Sequence, residues 1–596
     1  MSNTQRAILA FLLIALVLIF TPRYLRLIAP KPEGGPPVQE EALPTADTLQ
    51  PGPPAAVPSA IEPAEVPSVP VRAQPAPQRW PEEIVTIETD LYQATVSSTG
   101  GGSLKSFELQ KYRHGRGTGN VQLINETPDD VNLRLSYINL NGDTTYLVDN
   151  YEVLESPGKD TTYLANGSLT LAYRYTYPSG ARVSKRITFQ ADSYTIRIEV
   201  RWEHPELELG INTFEIGWPN GLHPAEKVLK EDEAYGKVYV YQGGELADQG
   251  AVRKGPVKRQ SLNGSTQWVA LRNKYFAASY IADQKQPGLY GAYSAVPVPY
   301  TAGNESGTMT RFYMGIGYEA RQSANLTLYL GPLSYFIIKD LEVDLERIMN
   351  LGFSVIRPIS KLVLYTLVFS HDYIPNYGLV LILFAIIIRV LTNPLTKKSA
   401  LSTQKMQLVQ PKVKVLQEKY KGNPQKLNQE MMALWKAEGV NPFGGCLPIL
   451  IQLPLLWALF IVFRTTIELR GQPFVLWVTD LSAPDVVFTL PFAIPLYGSG
   501  VTILALIMGI TMFIQQKISG AGANPQQKPM MYIMTGMFFL IFNQFPSGLN
   551  LYYAFSNILA IFQQRTIRRH LKMGQEMKTP AKANKPPAKT KKPRAS

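Results

Sequence analysis

Only one cysteine, Cys446, occurs in the 596 residues, and a lone thiol excludes an internal disulfide framework. The five histidines are scattered. Between residues 82 and 340 there is no nucleophile–base motif, no metal-ligand spacing and no phosphate loop. Covalent catalysis, metal chemistry and nucleotide binding therefore have no visible foothold there, and no cofactor is implied. A second scarcity is more telling. Five apolar runs in the C-terminal part, Tyr377–Thr396, Cys446–Phe463, Tyr497–Lys517, Met530–Phe545 and Leu549–Gln564, contain no Asp or Glu.

What is present is unevenly distributed. Hydrophobic residues make up 45% of the chain, concentrated near the N-terminus and after about residue 350. The net charge is +13, and two segments carry it: Lys397–Gly445 has a net of +6 and Arg565–Ser596 a net of +10, leaving the remainder slightly acidic. Basic patches suit nucleic acid, anionic lipid or a cytoplasmic address, and the flanking apolar runs favour the last.

Ala7–Phe20 is uninterruptedly apolar behind Arg6. A cleaved signal peptide begins this way, but no small-x-small site follows, which favours an uncleaved anchor over residues 1–29. Residues 30–81, rich in Pro, Ala, Glu and Val, read as a semi-extended linker. Residues 82–340 read as β. Leu91 to Val96 opens the domain, and a Gly-Gly-Gly turn follows at 100–102. Leu169 to Tyr177 and Tyr194 to Trp202 alternate with period two, and Asn141-Gly142 and Asn166-Gly167 are hairpin turn signals. The expected fold is a large antiparallel sandwich.

In 341–375, Phe353 to Leu364 has helical apolar spacing with Arg357 and Lys361 on one polar face. This fits an amphipathic helix on a membrane surface, with a spanning helix as the alternative. The five runs listed above then approach the roughly 20 residues that a bilayer core requires. With the anchor they make six spans: one at 376–396 and four between 446 and 565. The positive-inside rule places the 397–445 loop and the tail at 566–596 in the cytoplasm, and the β domain outside. The loop itself reads as an antiparallel helical hairpin. Met406, Val409, Val413, Leu416 and Tyr420 face Leu427, Met431 and Leu434 across Gly422-Asn423-Pro424, and Pro411 should kink or interrupt the first helix.

Arg389 needs explaining, because a charge in a spanning helix costs about 2.5–3.5 kcal/mol at the centre. It lies about seven residues, or about 10 Å, from the cytoplasmic end of its span. Snorkelling to the headgroups is one reading. A buried ion pair is another, but the runs supply no carboxylate, which leaves water, a headgroup or a visiting acidic segment. Gln452, Thr511 and Gln515 lie at compatible depths. On the last run Asn550, Tyr553, Asn557 and Gln564 step along one face. Interhelical hydrogen bonding is the plain reading of each residue. Together with Arg389 they suggest a hydrated cavity open to the cytoplasm.

From about Asn376 to Leu571 the chain resembles the YidC/Oxa family of membrane protein insertases in its Gram-negative form. The most specific stretch runs from Glu438 to Pro454 (Glu-Gly-Val-Asn-Pro-Phe-Gly-Gly-Cys-Leu-Pro-Ile-Leu-Ile-Gln-Leu-Pro). Arg389 with Asn393-Pro394-Leu395, Met406 to Pro411, Gln429 to Leu434, Phe545 to Leu549, Tyr552-Tyr553 and Ser556-Asn557 add to it. Trp268-Val269-Ala270, Lys274-Tyr275-Phe276 and Tyr329 to Pro332 look like pieces of the family's periplasmic β-supersandwich. The resemblance implies a five-helix core with a polar groove, with Arg389 as the groove arginine and Tyr553 as an important tyrosine. Ala385 stands where some relatives carry a hydroxyl. It also implies nascent membrane proteins as clients, membrane lipids as surroundings, and the ribosome, signal-recognition components and the Sec translocon as partners. A solute or anion transporter, an envelope scaffold and a periplasmic glycan enzyme are the competing readings. A transporter should show inverted repeats or broken spans, and neither is visible.

Overall fold

The computed structural model describes residues 80–576, apart from 116–118, 126–130, 159–160, 253–254, 303–304, 441–446 and 520–527. The expected anchor, nearly all of the linker and the end of the basic tail lie outside the described residues. The chain divides into two compact units. One comprises 1–74 with 524–531, of which only the start of a helix is described. The other comprises 75–523 with 532–596 and holds everything below.

Between Ile84 and Pro332 the described chain forms two sheets. The smaller has five strands in the order Asn120–Gln122, Ser103–Arg113, Tyr92–Ser97, Ile84–Glu88, Thr162–Tyr163. The larger has fourteen and is antiparallel throughout. Period-two alternation does what it should: along Thr195–Glu203, Ile196, Ile198, Val200 and Trp202 are buried while the residues between them are not. The Asn141-Gly142 turn joins the paired strands Arg134–Asn139 and Thr144–Leu147.

Two expectations need correction. The Asn166-Gly167 signal is not a hairpin. Thr162–Tyr163 pairs in parallel with Ile87 and Glu88, whereas Ser168–Thr176 pairs with Arg182–Gln190 in the other sheet. Gly167 supplies a positive φ of 80° for a turn that moves the chain between sheets. The domain is therefore antiparallel except for that one pair.

Among the described residues the helical part has seven longer helices: α1 (Arg357–Tyr373), α2 (Tyr377–Lys419), α3 (Pro424–Ala437), α4 (Leu447–Thr465), α5 (Ile503–Ser519), α6 (Lys528–Phe542) and α7 (Ser547–Glu576). Helix α1 buries Ser360, Val363, Leu364 and Leu367 and exposes Leu362, Phe369 and Tyr373, so it is apolar on both sides. Helix α2 runs on through 43 residues, and Asn376 caps it by accepting from the Leu379 amide. Of the two outcomes expected at Pro411, an interruption does not occur, since the helix continues past it. A proline in a helix costs about 3 kcal/mol, and the neighbouring packing opposes that cost: Val409 and Val413 are buried with Val440, against Met406, Met431 and Leu434. The hairpin seam is thus as expected in its middle. Tyr420 instead lies under the Lys419 and Lys426 ammonium groups.

Span boundaries also differ from the apolar runs. Among the described residues one helical stretch, Tyr377–Met406, is long and apolar enough to cross a bilayer, and Gln452–Thr465, Ile503–Ile518 and Tyr532–Phe542 are shorter apolar helices. The run beginning at Tyr497 becomes helical only at Ile503, because Val486–Ile494 and Gly498–Thr502 pair as a hairpin.

Candidate functional site: the polar seams of the last helix

Helix α7 packs against α2, α5 and, more lightly, α4. Its apolar side carries Leu549, Tyr552 and Ala554 into a core shared with Leu381, Phe384 and Phe463. The Tyr552 ring lies 6.0 Å from that of Phe384 and 6.5 Å from that of Phe463. This aromatic layer fixes the distance between α2 and α7, and so fixes what the polar residues one or two turns on can reach.

Arg389 is half-buried at the α2–α7 seam. Its Nη2 donates to the Ser556 carbonyl at 2.7 Å and to the Ser556 hydroxyl at 3.1 Å, and Nη1 donates to Gln563 Oε1 at 3.5 Å. The amide of Gln563 in turn donates to Asn393 Oδ1 at 2.6 Å. The guanidinium therefore has partners, which corrects the expectation that only water, a headgroup or a visitor could serve it. Every one of these acceptors is neutral. Among the described residues no carboxylate pairs with Arg389, so its geometry is satisfied while its charge is not compensated.

The other expected residues form a second seam. Asn557 Nδ2 donates to Thr511 Oγ1 on α5 at 3.4 Å, and Thr511 donates to the Met508 carbonyl at 2.9 Å. Asn550 is fully buried and donates to the Phe542 carbonyl of α6 at 3.1 Å, with its Oδ1 lacking a partner. The Tyr553 hydroxyl is also buried without a partner, and its ring stands edge-on to Phe542 at 5.6 Å. Gln452 on α4 and Gln515 on α5 are half-buried, and neither joins the Arg389 network. Ala385 is buried in the apolar core.

Asn550, Tyr553 and Asn557 share one side of the last helix as expected, and a second polar face lies beside it. Asn550, Tyr553 and Asn557 look toward α5 and α6, and Ser556 and Gln563 look toward α2. Asn393 and Ser556 were visible in the sequence only as parts of family motifs and Gln563 not at all; none of the three was read as a partner of Arg389. The signal was available, since Ser556 and Gln563 are seven apart and recur on one helical face.

Beside this site the described residues hold no cluster of His, Cys, Asp and Glu able to bind a metal. What remains is an uncompensated cation among neutral hydrogen-bonding groups, beside helices that also expose apolar residues. Such a site presents a positive charge to an acidic group.

The comparisons with known proteins fit a membrane-embedded bundle joined to an all-β domain. Residues 84–364 match the family described as the YidC periplasmic domain, and residues 369–576 match the 60Kd inner membrane protein family. A membrane protein insertase YidC from Chlorobium luteolum is 36% identical over 494 residues, covering 81% of this chain and 82% of its own. That of Chlorobaculum tepidum is 34% identical over 573 residues, 94% of each chain. A solved structure titled as an active YidC insertase with its first transmembrane domain resolved covers 81% of this chain and 94% of its own at 19% identity, with a TM-score of 0.34. The chain belongs to the YidC family of membrane protein insertases, inner-membrane proteins that carry a periplasmic domain.

Proposed function

We propose that this chain inserts and helps fold integral membrane proteins, alone or with the Sec translocon, by holding a polar segment of the client at the Arg389 seam. The observation that carries this reading is the charge balance there. The guanidinium is held by the Ser556 carbonyl and hydroxyl and by Gln563, all neutral, so a positive potential persists at depth. An acidic residue of a client adds the missing charge without displacing the structural bonds. In this reading Thr511 with Asn557, and Gln452 and Gln515, offer half-buried hydrogen-bonding groups beside the seam, while Asn550 and Tyr553, packed against α6, hold the last helix in place behind it.

The sequence of events has three steps. The basic hairpin (397–445) and tail concentrate a ribosome or an acidic nascent chain, with signal-recognition components as further partners. The polar segment then occupies the seam, which shortens its path through hydrocarbon. Finally the client's apolar helix moves against the 446–463 and 530–545 spans into lipid. Apolar transfer and the membrane potential acting on acidic residues drive the process. No covalent step is needed. This reading takes six spans, with the hairpin and C-terminus cytoplasmic and the β domain periplasmic, the protein acting as a monomer or as part of a larger complex.

The test is insertion of a short single-span client with an acidic N-terminal segment into proteoliposomes. Arg389→Ala is expected to lower insertion of the acidic client at least tenfold more than that of a neutral one, a difference of about 1.4 kcal/mol, with Arg389→Lys intermediate. Unchanged insertion of both clients by Arg389→Ala overturns the role of the seam. Insertion no better than in protein-free vesicles overturns the function.

A further inference from the structure

The loop between α4 and α5 carries a ribbon that the bundle does not cover. Its strands, Val486–Ile494 and Gly498–Thr502, pair with Val486 opposite Thr502 and Ile494 opposite Gly498. Along the first strand Val486, Val487, Phe488, Phe492 and Ile494 are all exposed, with Phe488 at 60% and Phe492 at 62%. Successive residues point to opposite sides of a strand, so neither side of this first strand is packed on protein, while the second strand is half-buried and Thr502 is enclosed. The ribbon is nevertheless held firmly. Asn543, at the end of α6, accepts from the Thr502 amide and hydroxyl and donates to the Tyr497 and Gly500 carbonyls, and Gln544 donates to the Leu496 carbonyl.

Three features on the same segment say what covers it. From Val486 to Gln516 there is no charged residue, so the apolar, uncharged surface of the ribbon passes into α5 without a polar boundary. Thr502 leads directly into Ile503, and the exposed side of α5 shows Leu506, Ile510, Phe513 and Ile514. A spanning helix of this family presents such a face to lipid, and the ribbon extends that face at the end of α5 away from the hairpin. Just ahead of the ribbon, Val475, Leu476 and Trp477 are also exposed, Leu476 at 86%. A two-stranded ribbon has open edges, which the hydrocarbon interior does not tolerate. Pro491 and Pro495 lack N–H groups and so leave fewer donors to satisfy. The depth that meets both demands is the boundary between headgroups and acyl chains, where tryptophan is also favoured.

We propose that the Val486–Thr502 ribbon, with Val475–Trp477 beside it, lies in the outer headgroup–acyl boundary of the bilayer as a fixed lipid-contact element at the closed end of the bundle. This rests on the membrane placement of α5. Asn543 couples the ribbon to α6, so lipid contact at this end holds the starts of α5 and α7 at a set depth.

The test uses the full chain with Cys446→Ser, carrying Phe492→Cys labelled with an environment-sensitive fluorophore, in vesicles whose acyl chains are brominated near the headgroup or near the methyl end. Phe513→Cys on α5 and Leu140→Cys on the β domain serve as references. The Phe492→Cys label is expected to lose more than half its emission to shallow bromines and much less to deep ones, while the Leu140→Cys label keeps its emission with both. If the Phe513→Cys label is quenched and the Phe492→Cys label behaves like the Leu140→Cys label, the ribbon is in water or covered by protein, and the proposal fails alone. A blue-shifted but unquenched Phe492→Cys label identifies a second copy as the cover and overturns the proposal equally. If the Phe513→Cys label is also unquenched, the membrane placement falls with it.

Discussion

Lys185 occupies an inward position of the strand Arg182–Gln190, where the alternation calls for an apolar side chain. It is fully buried, and its Nζ donates to the Leu133 carbonyl at 2.7 Å and the Gly100 carbonyl at 3.2 Å. Both acceptors belong to residues with positive φ, and the glycine is required. A side-chain carbon at 100, 101 or 102 would meet Val131, Tyr151 or Ile187 at 2.6 Å or less. The lysine thus ties two strained turns together from inside the domain. Loss of hydration lowers its pKa from 10.5 to about 7. The unfolded chain therefore binds the proton more tightly than the native state between about pH 7 and pH 10, and stability rises with pH across that window. The rise is at most about 4 kcal/mol. Thermal unfolding of the detergent-solubilised protein, followed by tryptophan emission, should shift upward from pH 7 to pH 9.5. The variant Lys185→Met should lose that slope. A flat profile in the parent chain refutes the buried-amine account. None of this was legible beforehand, because a lysine in an alternating strand reads as a solvent-facing residue. The groove residues behaved differently. Arg389 was conspicuous because it breaks an apolar run, whereas Ser556 stood out only as part of a motif, and its role as the partner of Arg389 depends on a carbonyl that no sequence pattern marks.

At the level of elements, periodicity was the reliable signal and composition the misleading one. The alternation of Tyr194 to Trp202 gave a strand, and the 3–4 steps from Met406 gave a helix, because each pattern states which side is buried. The apolar stretch from Tyr497 has no such pattern. Tyr497 lies in the turn and the next five residues, Gly498–Thr502, form the second strand of the hairpin, and only the helical hydrogen bonding from Ile503 onward shows where α5 begins. Asp485 marks that point. It is 8% exposed, and its Oδ2 accepts from the Ile503 and Leu504 amides at 3.1 and 2.8 Å and from the Trp477 indole at 3.0 Å. A carboxylate at the start of a helix satisfies amides that would otherwise have no partner. Asp485→Ala is expected to cost about 1–2 kcal/mol and to speed hydrogen exchange at Ile503 and Leu504 before any change in the β domain. Asp485→Asn should retain part of the protection. Equal exchange in all three forms would mean that the hairpin, and not the cap, fixes the start of α5.

Across the molecule, the question is how a β domain outside the membrane is oriented on a bundle inside it. The answer lies in the segment between α4 and the ribbon. Arg470 donates through Nε to Glu226 at 2.7 Å, through Nη1 to the Arg113 carbonyl at 2.9 Å and through Nη2 to the Ala225 carbonyl at 3.3 Å. The side chains of this ion pair are only 7% and 12% exposed, and the guanidinium also faces the rings of Tyr275 and Phe276. Around it, the Tyr275 hydroxyl donates to the Arg464 carbonyl at 3.3 Å and the Ser334 hydroxyl to Glu468 at 3.0 Å. Lys274-Tyr275-Phe276 was recognisable in the sequence as a family signature, but its role at this joint depends on residues almost two hundred positions away, beyond any local pattern. Removing one partner of a buried pair leaves the other charge without compensation, at about 3–5 kcal/mol. Arg470→Ala should therefore free the β domain from the bundle while each part keeps its own core. Limited proteolysis should then cut near 341–356 faster, and the lower unfolding transition should separate from the upper one. Because the cost comes from the stranded Glu226, adding Glu226→Gln to Arg470→Ala should recover part of the loss. If the double variant is no more stable than the single one, packing against Tyr275 and Phe276, and not charge, holds the joint. Insertion measured on the same variants then tests whether orientation matters to function. A freed β domain with undiminished insertion would confine the work of the protein to the helices.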